Sequence, residues 1–519
     1  MPMSERGVGL MLLSQLLRGL SNAQLIRDCE ITGVSYDSRE VKPGDLFVAI
    51  KGYRLDGHDF VADALSKGAS GVVVEHIVHI PQDKGIAVVE NARFALSHLA
   101  CAFYGNPSRD LLVVGVTGTK GKTTTCHMVK DMLDSMGYST GLLGTVHNII
   151  GEEVRPCKHT TPESPDLLSM QREMVEKGCT AVVMEVSSHA LALDRVAHVE
   201  FDVAVFTNIG SDHLDFHGNI DNYVDAKGKL FESLPRIPAR PGRNLPFAVI
   251  NNDDPFSDYF LSKAPEMSIT YGLEQPSDVR ATDVEVGSRG SSFSISYGGK
   301  TIRTQINLPG RFNIYNALAA SAVSLGLGSD LYEVAEVLPR LSGVRGRAEL
   351  VSGTEEYAVW VDYAHTPESL KDILDTARQV ADNRVIVVFG CGGDRDKFKR
   401  PVMGRVSGEI ADVVIITNDN PRTEDQEEIL NQIEAGVNEA KRAKPGLVFE
   451  RISDRGKAIA RAISLAQKGD VVVIAGKGHE TYQILADRVV SFDDAEVARN
   501  AIEALKDLSG YDKPRLGEF

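Results

Sequence analysis

Short runs of apolar residues alternate with amphipathic stretches along most of the chain, and this alternation predicts an α/β fold. Residues 31–105 carry the runs DLFVAI, GVVVE and GIAVVE, which turn residues separate, as is typical of a small α/β domain. From residue 111 the runs are richer in β-branched residues, as in LLVVGV, AVVMEV, VAVFTN and FAVIN. Such runs indicate strands buried on both faces, and therefore a mostly parallel sheet.

A hairpin and a further α/β unit follow. Positions in 291–308 alternate between apolar and polar around a Gly-Gly pair, which predicts two antiparallel strands. Beyond them, YAVWVDY, VIVVFG, DVVIITND and DVVVIAGKG predict four more buried strands. At roughly 150 residues per domain, the length suggests three domains, and NPS at 106–108 indicates a linker.

Composition and charge exclude several classes of function. A formal charge of −16 argues against non-specific binding to nucleic acids or membrane surfaces, because the protein's field repels polyanions. Six cysteines without a C-x-x-C pair indicate free thiols in a reducing compartment. No run approaches the ~18 apolar residues of a membrane span. We therefore expect a cytoplasmic protein with no nucleic-acid partner and no membrane insertion.

The apolar N-terminal stretch GVGLMLLSQLLRGL predicts a short amphipathic helix. Ser14, Gln15 and Arg18 interrupt it at helical spacing, and no small-residue cleavage site follows, which disfavours a signal peptide.

The stretch GVTGTKGKTTT at 115–125 differs from the usual phosphate-binding loop. Val116 stands where the first glycine is expected, and the nearest glycine comes one residue earlier. The run LLVVGV precedes the loop, and KTTTCHMVKDMLDSM, which has helical spacing, follows it. In this context backbone N–H groups and the helix N-terminus face phosphates, Lys122 adds a charge, and Thr123 offers a hydroxyl to Mg²⁺. A turn that is glycine-rich for steric reasons alone is the alternative.

Two more polar side chains follow neighbouring strands. Glu185 lies near the end of one strand in MEVSSHALALDRV, and His213 follows the next strand in FTNIGSDHLDFHG. Both could join Thr123 around a metal ion. A carboxylate is the ligand expected for Mg²⁺ and an imidazole is less usual, so a structural role for His213 stays open.

Ten motifs occur in the order found in the Mur ligase family, the ATP-dependent amino-acid-adding enzymes of peptidoglycan synthesis, a process that serves cell shape and division. They are GVTGTKGKTTT, MEVSSHAL, TNIGSDHLDFHG, YVDAKGKLF, GRFNIYNALAA, GVRGRAE, VDYAHTPESL, CGGDRDKFKRP, TNDNPRTED and AGKGHE. The chain resembles most closely the members that add the third residue, and the resemblance covers nearly its whole length. The loop Gly-x-x-Gly-Thr-x-Gly-Lys-Thr is similar to this family's own form of the phosphate loop.

The resemblance implies three domains: a small N-terminal α/β domain for the UDP-substrate (1–107), a central P-loop ATPase domain with a mostly parallel sheet (108–343), and a C-terminal Rossmann-like domain for the amino acid (344–519). It implies that ATP converts the D-Glu γ-carboxylate of UDP-MurNAc-L-Ala-D-Glu into an acyl phosphate, which the amine of the third residue attacks. Positioning and charge neutralisation serve both steps. Mg²⁺ is the implied cofactor, and we expect a monomer.

The family's nucleotide positions map onto this chain residue by residue. The ATP-binding set comprises Gly118, Thr119, Lys120, Gly121, Lys122, Thr123, Thr124, Asn316, Arg347 and Asp362. The implied metal ligands are Thr123, Glu185 and His213, and the catalytic set is Lys122, Lys227, His213 and Glu185. The resemblance implies that CO₂ carbamylates Lys227 to N6-carboxylysine, which turns a cation into an oxygen-bearing anion. An ordinary surface lysine is the alternative, and by motif register we favour Lys227 over Lys229.

The resemblance also implies two substrate sites. The UDP-substrate set comprises Tyr36, Ser38, Tyr53, Arg54, Leu55, His159, Thr160, Thr161, Ser187, Leu193 and Arg195, with His189 in the same motif as Ser187. The amino-acid set comprises Arg395, Asp419, Asn420, Pro421, Arg422, Gly476 and Glu480.

Arg422 is the residue that indicates which amino acid is added. A guanidinium binds a carboxylate bidentately, and meso-diaminopimelate differs from lysine by a carboxylate at its far end. Arg in DNPR resembles the diaminopimelate-adding members, although Asn-Pro alone is an ordinary turn. Four alternatives stay open: a lysine-adding Mur ligase, a D-Ala-D-Ala-adding Mur ligase, a folylpolyglutamate synthase, and a nucleotide-binding protein without ligase chemistry.

Overall fold

The computed structural model describes residues 10–52, 55–235, 245–351 and 356–511. The chain divides into two compact units. The first comprises Met1–Arg280 and Leu318–Asp330, and the second comprises Ala281–Ala317 and Leu331–Phe519. In the described ranges, no helix has both the length and the apolarity that crossing a bilayer requires.

The N-terminal part of the first unit contains a five-stranded sheet of order β2-β7-β6-β5-β4 and a separate antiparallel pair, β1 with β3. Its elements are β1 (Met11–Leu12), α1 (Leu13–Leu16), β2 (Gln24–Arg27), β3 (Glu30–Ile31), β4 (Gly33–Ser35), β5 (Asp45–Val48), α2 (Val61–Ser66), β6 (Gly71–Val74), β7 (Gly85–Val88) and α3 (Ala92–Phe103). The predicted N-terminal helix is one turn long, because the chain before it pairs as β1 with β3.

The rest of the first unit is built on a mostly parallel sheet of order β11-β10-β9-β12-β8-β13-β14-β15-β16. Among its described strands, β10 runs opposite to the others, because it pairs antiparallel with both β9 and β11. The elements are β8 (Leu112–Thr117), α4 (Lys122–Ser135), β9 (Thr140–Leu143), β10 (His147–Ile150), β11 (Glu153–Pro156), α5 (Ser164–Glu176), β12 (Ala181–Glu185), α6 (Ser188–Ala192), β13 (Val203–Phe206), α7 (Leu214–His217), α8 (Ile220–Glu232), β14 (Phe247–Asn251), α9 (Ser257–Lys263), β15 (Ser268–Gly272) and β16 (Val279–Val286).

Strand β8 lies between β12 and β13, and this order positions the candidate site. Glu185 is paired with Val116, and Phe206 is paired with Thr117. The three strands are parallel, so their carboxyl ends meet at one sheet edge. The loop after β8, the end of β12 and the loop after β13 therefore lie side by side.

The second unit is built on a six-stranded sheet of order β19-β20-β24-β21-β22-β23, parallel from β20 to β23. Apolar side chains cover both faces of this sheet. The elements from here to the C-terminus are β17 (Ser291–Tyr297), β18 (Lys300–Ile306), α10 (Arg311–Gly326), α11 (Leu331–Val337), β19 (Glu349–Leu350), β20 (Ala358–Asp362), α12 (Pro367–Val380), β21 (Val385–Phe389), α13 (Lys399–Ile410), β22 (Val413–Ile416), α14 (Gln426–Ala443), β23 (Val448–Arg451), α15 (Arg455–Leu465), β24 (Val471–Ala475), β25 (Tyr482–Ile484), β26 (Val489–Ser491) and α16 (Asp494–Tyr511).

The predicted strands are confirmed, and so is the hairpin, whose strands β17 and β18 meet antiparallel at Tyr297 and Lys300. At 106–108, where the sequence indicates a linker, the structure shows a buried turn. Pro107–Arg109 forms a 3₁₀ turn in which Ser108 is buried. The Ser108 hydroxyl donates to Asn106 Oδ1 at 2.7 Å and accepts from the Glu200 N–H at 3.1 Å. Asn-Pro-Ser here is a packed turn, because its polar groups find partners within the fold.

Candidate functional site

The loop that joins β8 to α4, residues 118–121, is held by the segment after β13, and we call it the phosphate loop. The N–H of Thr119 donates to the Asn208 carbonyl at 2.8 Å, and the N–H of Lys120 donates to Asn208 Oδ1 at 3.0 Å. Gly118 has φ +144°, and a Cβ there would lie 1.9 Å from Thr207 Oγ1, so glycine is required. Gly121 precedes α4, whose 14 residues direct their N-terminus at the loop.

Two lysine ammonium groups converge on the Gly118 carbonyl. Lys122 Nζ donates to it at 2.9 Å and to the Thr119 carbonyl at 2.8 Å. Lys227 Nζ donates to it at 2.8 Å and lies 4.5 Å from the Tyr223 ring centroid. Lys227 is buried, and within the described chain no carboxylate lies at ion-pair distance from its nitrogen. Burial, and then repulsion by Lys122, hold the pKa of Lys227 well below its usual value.

Glu185, the last residue of β12, is a buried carboxylate surrounded by neutral donors. Its Oε2 accepts from the hydroxyls of Thr123 at 3.0 Å and Thr145 at 3.1 Å. Its Oε1 accepts from the Thr145 N–H at 2.7 Å. Among the described residues no Lys, Arg or His forms an ion pair with it. A buried carboxylate that lacks a cationic partner, next to a threonine hydroxyl of the phosphate loop's helix, fits a hard divalent cation.

His213 belongs to a cluster of imidazole and phenyl rings. It has a left-handed φ of 53°, its ring centroid lies 4.7 Å from that of His189, and its Nδ1 lies 3.5 Å from Asp212 Oδ1. Phe216 and His217 complete the cluster. Burial lowers the pKa of His217 to about 4. In the part of the chain that the structure describes, no three His, Cys, Asp or Glu side chains gather as a metal site. Thr123 and Glu185 of the predicted metal set meet, while His213 contacts His189 and Asp212.

Three residues predicted for the UDP-substrate meet beside Glu185. The Thr161 hydroxyl donates to the Glu185 carbonyl at 2.8 Å and accepts from the Ser187 N–H at 3.1 Å. Arg195 donates to the Thr161 carbonyl at 3.0 Å and forms an ion pair with Glu163 at 2.9 Å. The hydroxyl oxygen of Thr160, also predicted, lies 3.1 Å from that of Thr145.

The other predicted UDP-substrate residues are more dispersed. The Tyr36 hydroxyl donates to Asp166 Oδ2 at 2.7 Å, and burial together with Asp166 raises the pKa of Tyr36. Ser38 is buried, Leu193 is half-buried, and Leu55 and His159 are exposed. Two further predicted residues, Tyr53 and Arg54, lie outside the described residues.

The second unit holds the residues predicted for adenine and ribose. Asp362, at the end of β20, accepts from the N–H groups of Ala348 at 2.7 Å and Ala364 at 2.8 Å. Burial raises the pKa of Asp362. The Arg347 guanidinium lies 5.2 Å from the Tyr363 ring centroid. Asn316 Nδ2 donates to Asn313 Oδ1 at 3.2 Å on α10.

Three loops follow β21, β22 and β24 at the carboxyl ends of parallel strands. We call residues 392–395, 419–424 and 476–480 the three-loop cluster. Asn420 Nδ2 donates to Glu480 Oε2 at 2.9 Å, so the second and third loops meet. Arg422 Nη1 donates to the Gly393 carbonyl at 2.9 Å, so the first and second loops meet.

Glycines let the loops of the three-loop cluster approach closely. A Cβ on Gly392 would lie 2.9 Å from Arg422 Nη1 and 3.8 Å from Arg395 Cγ, so both guanidinium side chains pass this glycine. A Cβ on Gly476 would lie 2.8 Å from Asp419 Oδ2. The structure thus brings the seven predicted amino-acid-binding residues into one cluster of loops.

Sequence reasoning missed three residues that support these sites. Thr145 holds Glu185 but belongs to no quoted motif. Lys477 is buried within AGKGHE, and Glu424 lies in TNDNPRTED, so both motifs contained a signal.

Glu424 joins the first two loops of the three-loop cluster. Both of its oxygens accept from the buried Arg400, each at 3.0 Å, and Oε1 also accepts from the Asp394 N–H at 2.5 Å. These hydrogen bonds, first of all those from Arg400, lower the pKa of Glu424 to about 2.

Family models match most of the chain in three segments. Residues 30–104 match the catalytic domain of the Mur ligase family, residues 116–324 match the Mur ligase middle domain, and residues 346–478 match the Mur ligase glutamate ligase domain.

Individual relatives match over nearly the full length. The UDP-N-acetylmuramoyl-L-alanyl-D-glutamate–2,6-diaminopimelate ligase of Bacillus velezensis is 45% identical over 480 residues, 92% of this chain and 95% of that protein. The same-named ligase of Geobacillus thermodenitrificans is 46% identical over 91% of this chain and 95% of that protein. A solved structure of a same-named ligase matches with a TM-score of 0.68 at 32% identity, covering 92% of this chain and 95% of that chain. The MurF ligase from Thermotoga maritima in complex with ADP, at 21% identity and a TM-score of 0.57 over 92% of this chain and 98% of that chain, shares the fold.

Proposed function

This chain belongs to the Mur ligase family, and we propose that it adds meso-2,6-diaminopimelate to the D-Glu γ-carboxylate of UDP-N-acetylmuramoyl-L-alanyl-D-glutamate at the expense of ATP. The reaction is a step of peptidoglycan synthesis and takes place in the cytoplasm. The observation that carries the proposal is the three-loop cluster, in which Arg395 and Arg422 pass the same glycine while Asn420 bonds to Glu480. Guanidinium groups next to a carboxylate complement an amino acid that is zwitterionic at its far end.

In the first step, the γ-carboxylate attacks the γ-phosphorus of ATP and ADP leaves, which gives an acyl phosphate. Backbone N–H groups of the phosphate loop and the N-terminus of α4 bind the phosphates. Lys122 turns from the carbonyls of Gly118 and Thr119 toward the phosphates and balances their charge. Asn316, Arg347 and Asp362 bind the nucleoside.

Mg²⁺ fits the residues around Glu185. The buried Glu185 carboxylate has only hydroxyl and N–H partners in the described chain, and Thr123 adds a hydroxyl oxygen. When bound, the ion neutralises charge that develops on the transferring phosphoryl group. We assign Thr123 and Glu185 to hold it, with His213 as the third residue of the set.

Lys227 is the residue that we propose is carbamylated. Its low pKa supports a neutral amine, and a neutral amine attacks CO₂ to give a carbamate and release one proton. The carbamate replaces a buried cation, which Lys122 repels, with an anion that Lys122 attracts. Lys227 Nζ and Lys122 Nζ meet at the Gly118 carbonyl, so a carbamate on Lys227 would lie beside the phosphate loop.

In the second step, the amine of diaminopimelate attacks the acyl phosphate, passes through a tetrahedral intermediate and expels phosphate. Thr161, Ser187 and Arg195 orient the peptidyl part of the UDP-substrate, and the contacts among them support a preformed arrangement. Arg422 and Arg395 bind carboxylate of the incoming residue, and Glu480 binds its distal ammonium. Residues 1–107, 108–343 and 344–519 serve the UDP-substrate, ATP and the amino acid, in a protein that acts as a monomer.

The direct test incubates the purified protein with UDP-MurNAc-L-Ala-D-Glu, ATP and Mg²⁺, and offers diaminopimelate and lysine separately. We expect a new nucleotide with the mass of the diaminopimelate tripeptide, and at most trace product with lysine. Equal product from both amino acids would contradict the proposed specificity. Slow ATP hydrolysis that is independent of any amino acid would contradict ligase chemistry.

A further inference from the structure

AGKGHE contributes a fully buried ammonium to which the proposed reaction assigns no role. The Lys477 side chain is 0% exposed, and its Nζ lies 2.9 Å from Glu480 Oε2 and 3.2 Å from Asn420 Oδ1. The centroid of the Tyr482 ring lies 5.6 Å away. A buried ammonium is costly unless a carboxylate and acceptor oxygens compensate it. Glu480 therefore already carries a cationic partner before any amino acid binds.

The same contacts fix the amide of Asn420. Its Oδ1 accepts from Lys477 and from the Ile484 N–H at 2.9 Å, and its Nδ2 donates to Glu480 Oε2 at 2.9 Å. A reversed amide would place its N–H groups against two donors and its oxygen against a carboxylate oxygen. Lys477 thus orients Asn420 and Glu480, both predicted to bind the incoming residue.

Lys477 also sets the charge that an incoming amino acid meets. At neutral pH lysine carries a net charge of about +1, whereas diaminopimelate, with two ammonium and two carboxylate groups, is close to neutral. A fixed ammonium beside Glu480 repels the uncompensated side-chain ammonium of lysine. It repels the distal end of diaminopimelate less, because a carboxylate there accompanies the ammonium.

On the basis of the proposed function, we propose that Lys477 is a specificity-determining residue that orients Asn420 and Glu480 and excludes amino acids with a cationic far end. Arg422 attracts the distal carboxylate of diaminopimelate, whereas Lys477 repels the side-chain ammonium of lysine. Selection against a competitor by a repulsive group is a second source of specificity beside attraction.

The test compares kcat/KM for diaminopimelate and lysine in the wild type and in Lys477→Met. We expect the kcat/KM for diaminopimelate divided by the kcat/KM for lysine to fall about 10- to 100-fold. This is the effect of removing one unit charge about 6–10 Å from an ammonium at an effective dielectric constant near 20. The loss in kcat/KM for diaminopimelate should be mainly a rise in KM, because Asn420 and Glu480 lose their orientation.

A second pair of variants separates charge from folding. Glu480→Gln and the double variant Lys477→Met/Glu480→Gln differ only at Lys477, and the double variant leaves no unpaired buried charge. The ratio of kcat/KM for diaminopimelate to kcat/KM for lysine should be lower in the double variant than in Glu480→Gln. The factor should be similar to that between the wild type and Lys477→Met. Lys444→Met is the matched control, because Lys444 lies outside the three-loop cluster. Its ammonium donates to the Ala411 carbonyl at 2.7 Å and lies 3.6 Å from Asp412. It should keep the wild-type ratio.

The possible outcomes separate the role of Lys477 from the proposed function. A wild type that uses diaminopimelate, with an equal loss for both amino acids on removal of Lys477, would overturn the specificity role and leave the proposed function intact. A wild type that makes no product with either amino acid would overturn both. Fluorescence of Trp360, the only tryptophan of the chain and fully buried in β20, reports whether each variant is folded.

Discussion

The phosphate loop and the three-loop cluster both lie at the carboxyl ends of parallel strands, but they are built differently. The phosphate loop is one continuous segment, and its neighbours contribute hydroxyls, an amide, backbone groups and two lysine ammonium groups, without a carboxylate among the contacts described above. The three-loop cluster joins segments up to about 85 residues apart, and charged side chains such as Arg400 and Glu424 hold them together. The first arrangement suits a phosphate-bearing ligand, and under the proposed function the second would select one amino acid by its charges.

The largest effect is expected at Lys227, beside the phosphate loop. Lys227→Met should lower kcat by about 10³-fold, because no carbamate forms and the charge near the phosphates is lost. Steady-state product formation is the measurement. Lys229→Met, two residues along α8 and exposed, is the control and should stay near wild type. Lys227→Ala, which leaves space at the buried site, should partly recover with added short-chain carboxylates, and full activity of Lys227→Met without them would contradict the assignment.

A comparable loss, confined to one amino acid, is expected in the three-loop cluster. Arg422→Ala should lower kcat/KM for diaminopimelate by about 100- to 1,000-fold, because a bidentate partner of a carboxylate is removed. Turnover of lysine should change far less. Arg451→Ala is the control, because it removes a guanidinium of β23 that pairs with Glu427 and Glu434 of α14. Equal losses for both amino acids would show that Arg422 has no part in selection.

A smaller effect is expected at Glu424, which joins two loops without a proposed substrate contact. Glu424→Gln should raise KM for diaminopimelate about tenfold and leave KM for ATP unchanged, because Arg400 and the Asp394 N–H lose a charged acceptor. Glu439→Gln, at an exposed carboxylate farther along α14, is the matched control.

The same variant tests the lowered pKa of Glu424. A carboxylate whose folded pKa is lowered from 4.5 to about 2 stabilises the protein above its unfolded pKa and loses this contribution as pH falls toward 2. The difference in unfolding temperature between wild type and Glu424→Gln should therefore be present at pH 7 and shrink below about pH 4.5. A difference that is constant from pH 7 to pH 3 would contradict the ionic contact.

The smallest effect is expected at Thr145. Thr145→Val removes the hydroxyl that contacts Glu185 but keeps the backbone N–H bond at 2.7 Å. We expect kcat to fall about threefold to tenfold, with a higher Mg²⁺ requirement, since one of three donors to a charged acceptor is lost. Thr145→Ser should restore both parameters. An unchanged Mg²⁺ requirement would separate Thr145 from the ion.

The strands were predictable because their signal is local. The β-branched runs at β8, β12, β20 and β24 mark buried parallel strands wherever they occur, and Gly298-Gly299 marks a hairpin. The short N-terminal helix is present as one turn, Leu13–Leu16, although periodicity does not reveal that residues 11–12 pair with residues 30–31.

Site residues were predictable where they lie in sequence motifs that resemble those of the family. Gly118, Lys122 and Lys227 were placed by motif order, and the structure brings all three together. Thr145 was missed because its contact with Glu185 joins loops 40 residues apart through side-chain geometry. Lys477 was missed although it lies inside a quoted motif, since burial and partners are properties of the folded chain.

One isotope measurement tests most directly whether the γ-carboxylate is first phosphorylated and then attacked by an amine that the protein selects. The UDP-substrate is labelled with ¹⁸O in its D-Glu γ-carboxylate, and the inorganic phosphate released is analysed by mass spectrometry. We expect one ¹⁸O atom in each phosphate released with diaminopimelate, because the carboxylate oxygen leaves with the phosphate, and little release with lysine or with no amino acid. Unlabelled phosphate, or release at the same rate without an amino acid, would contradict it.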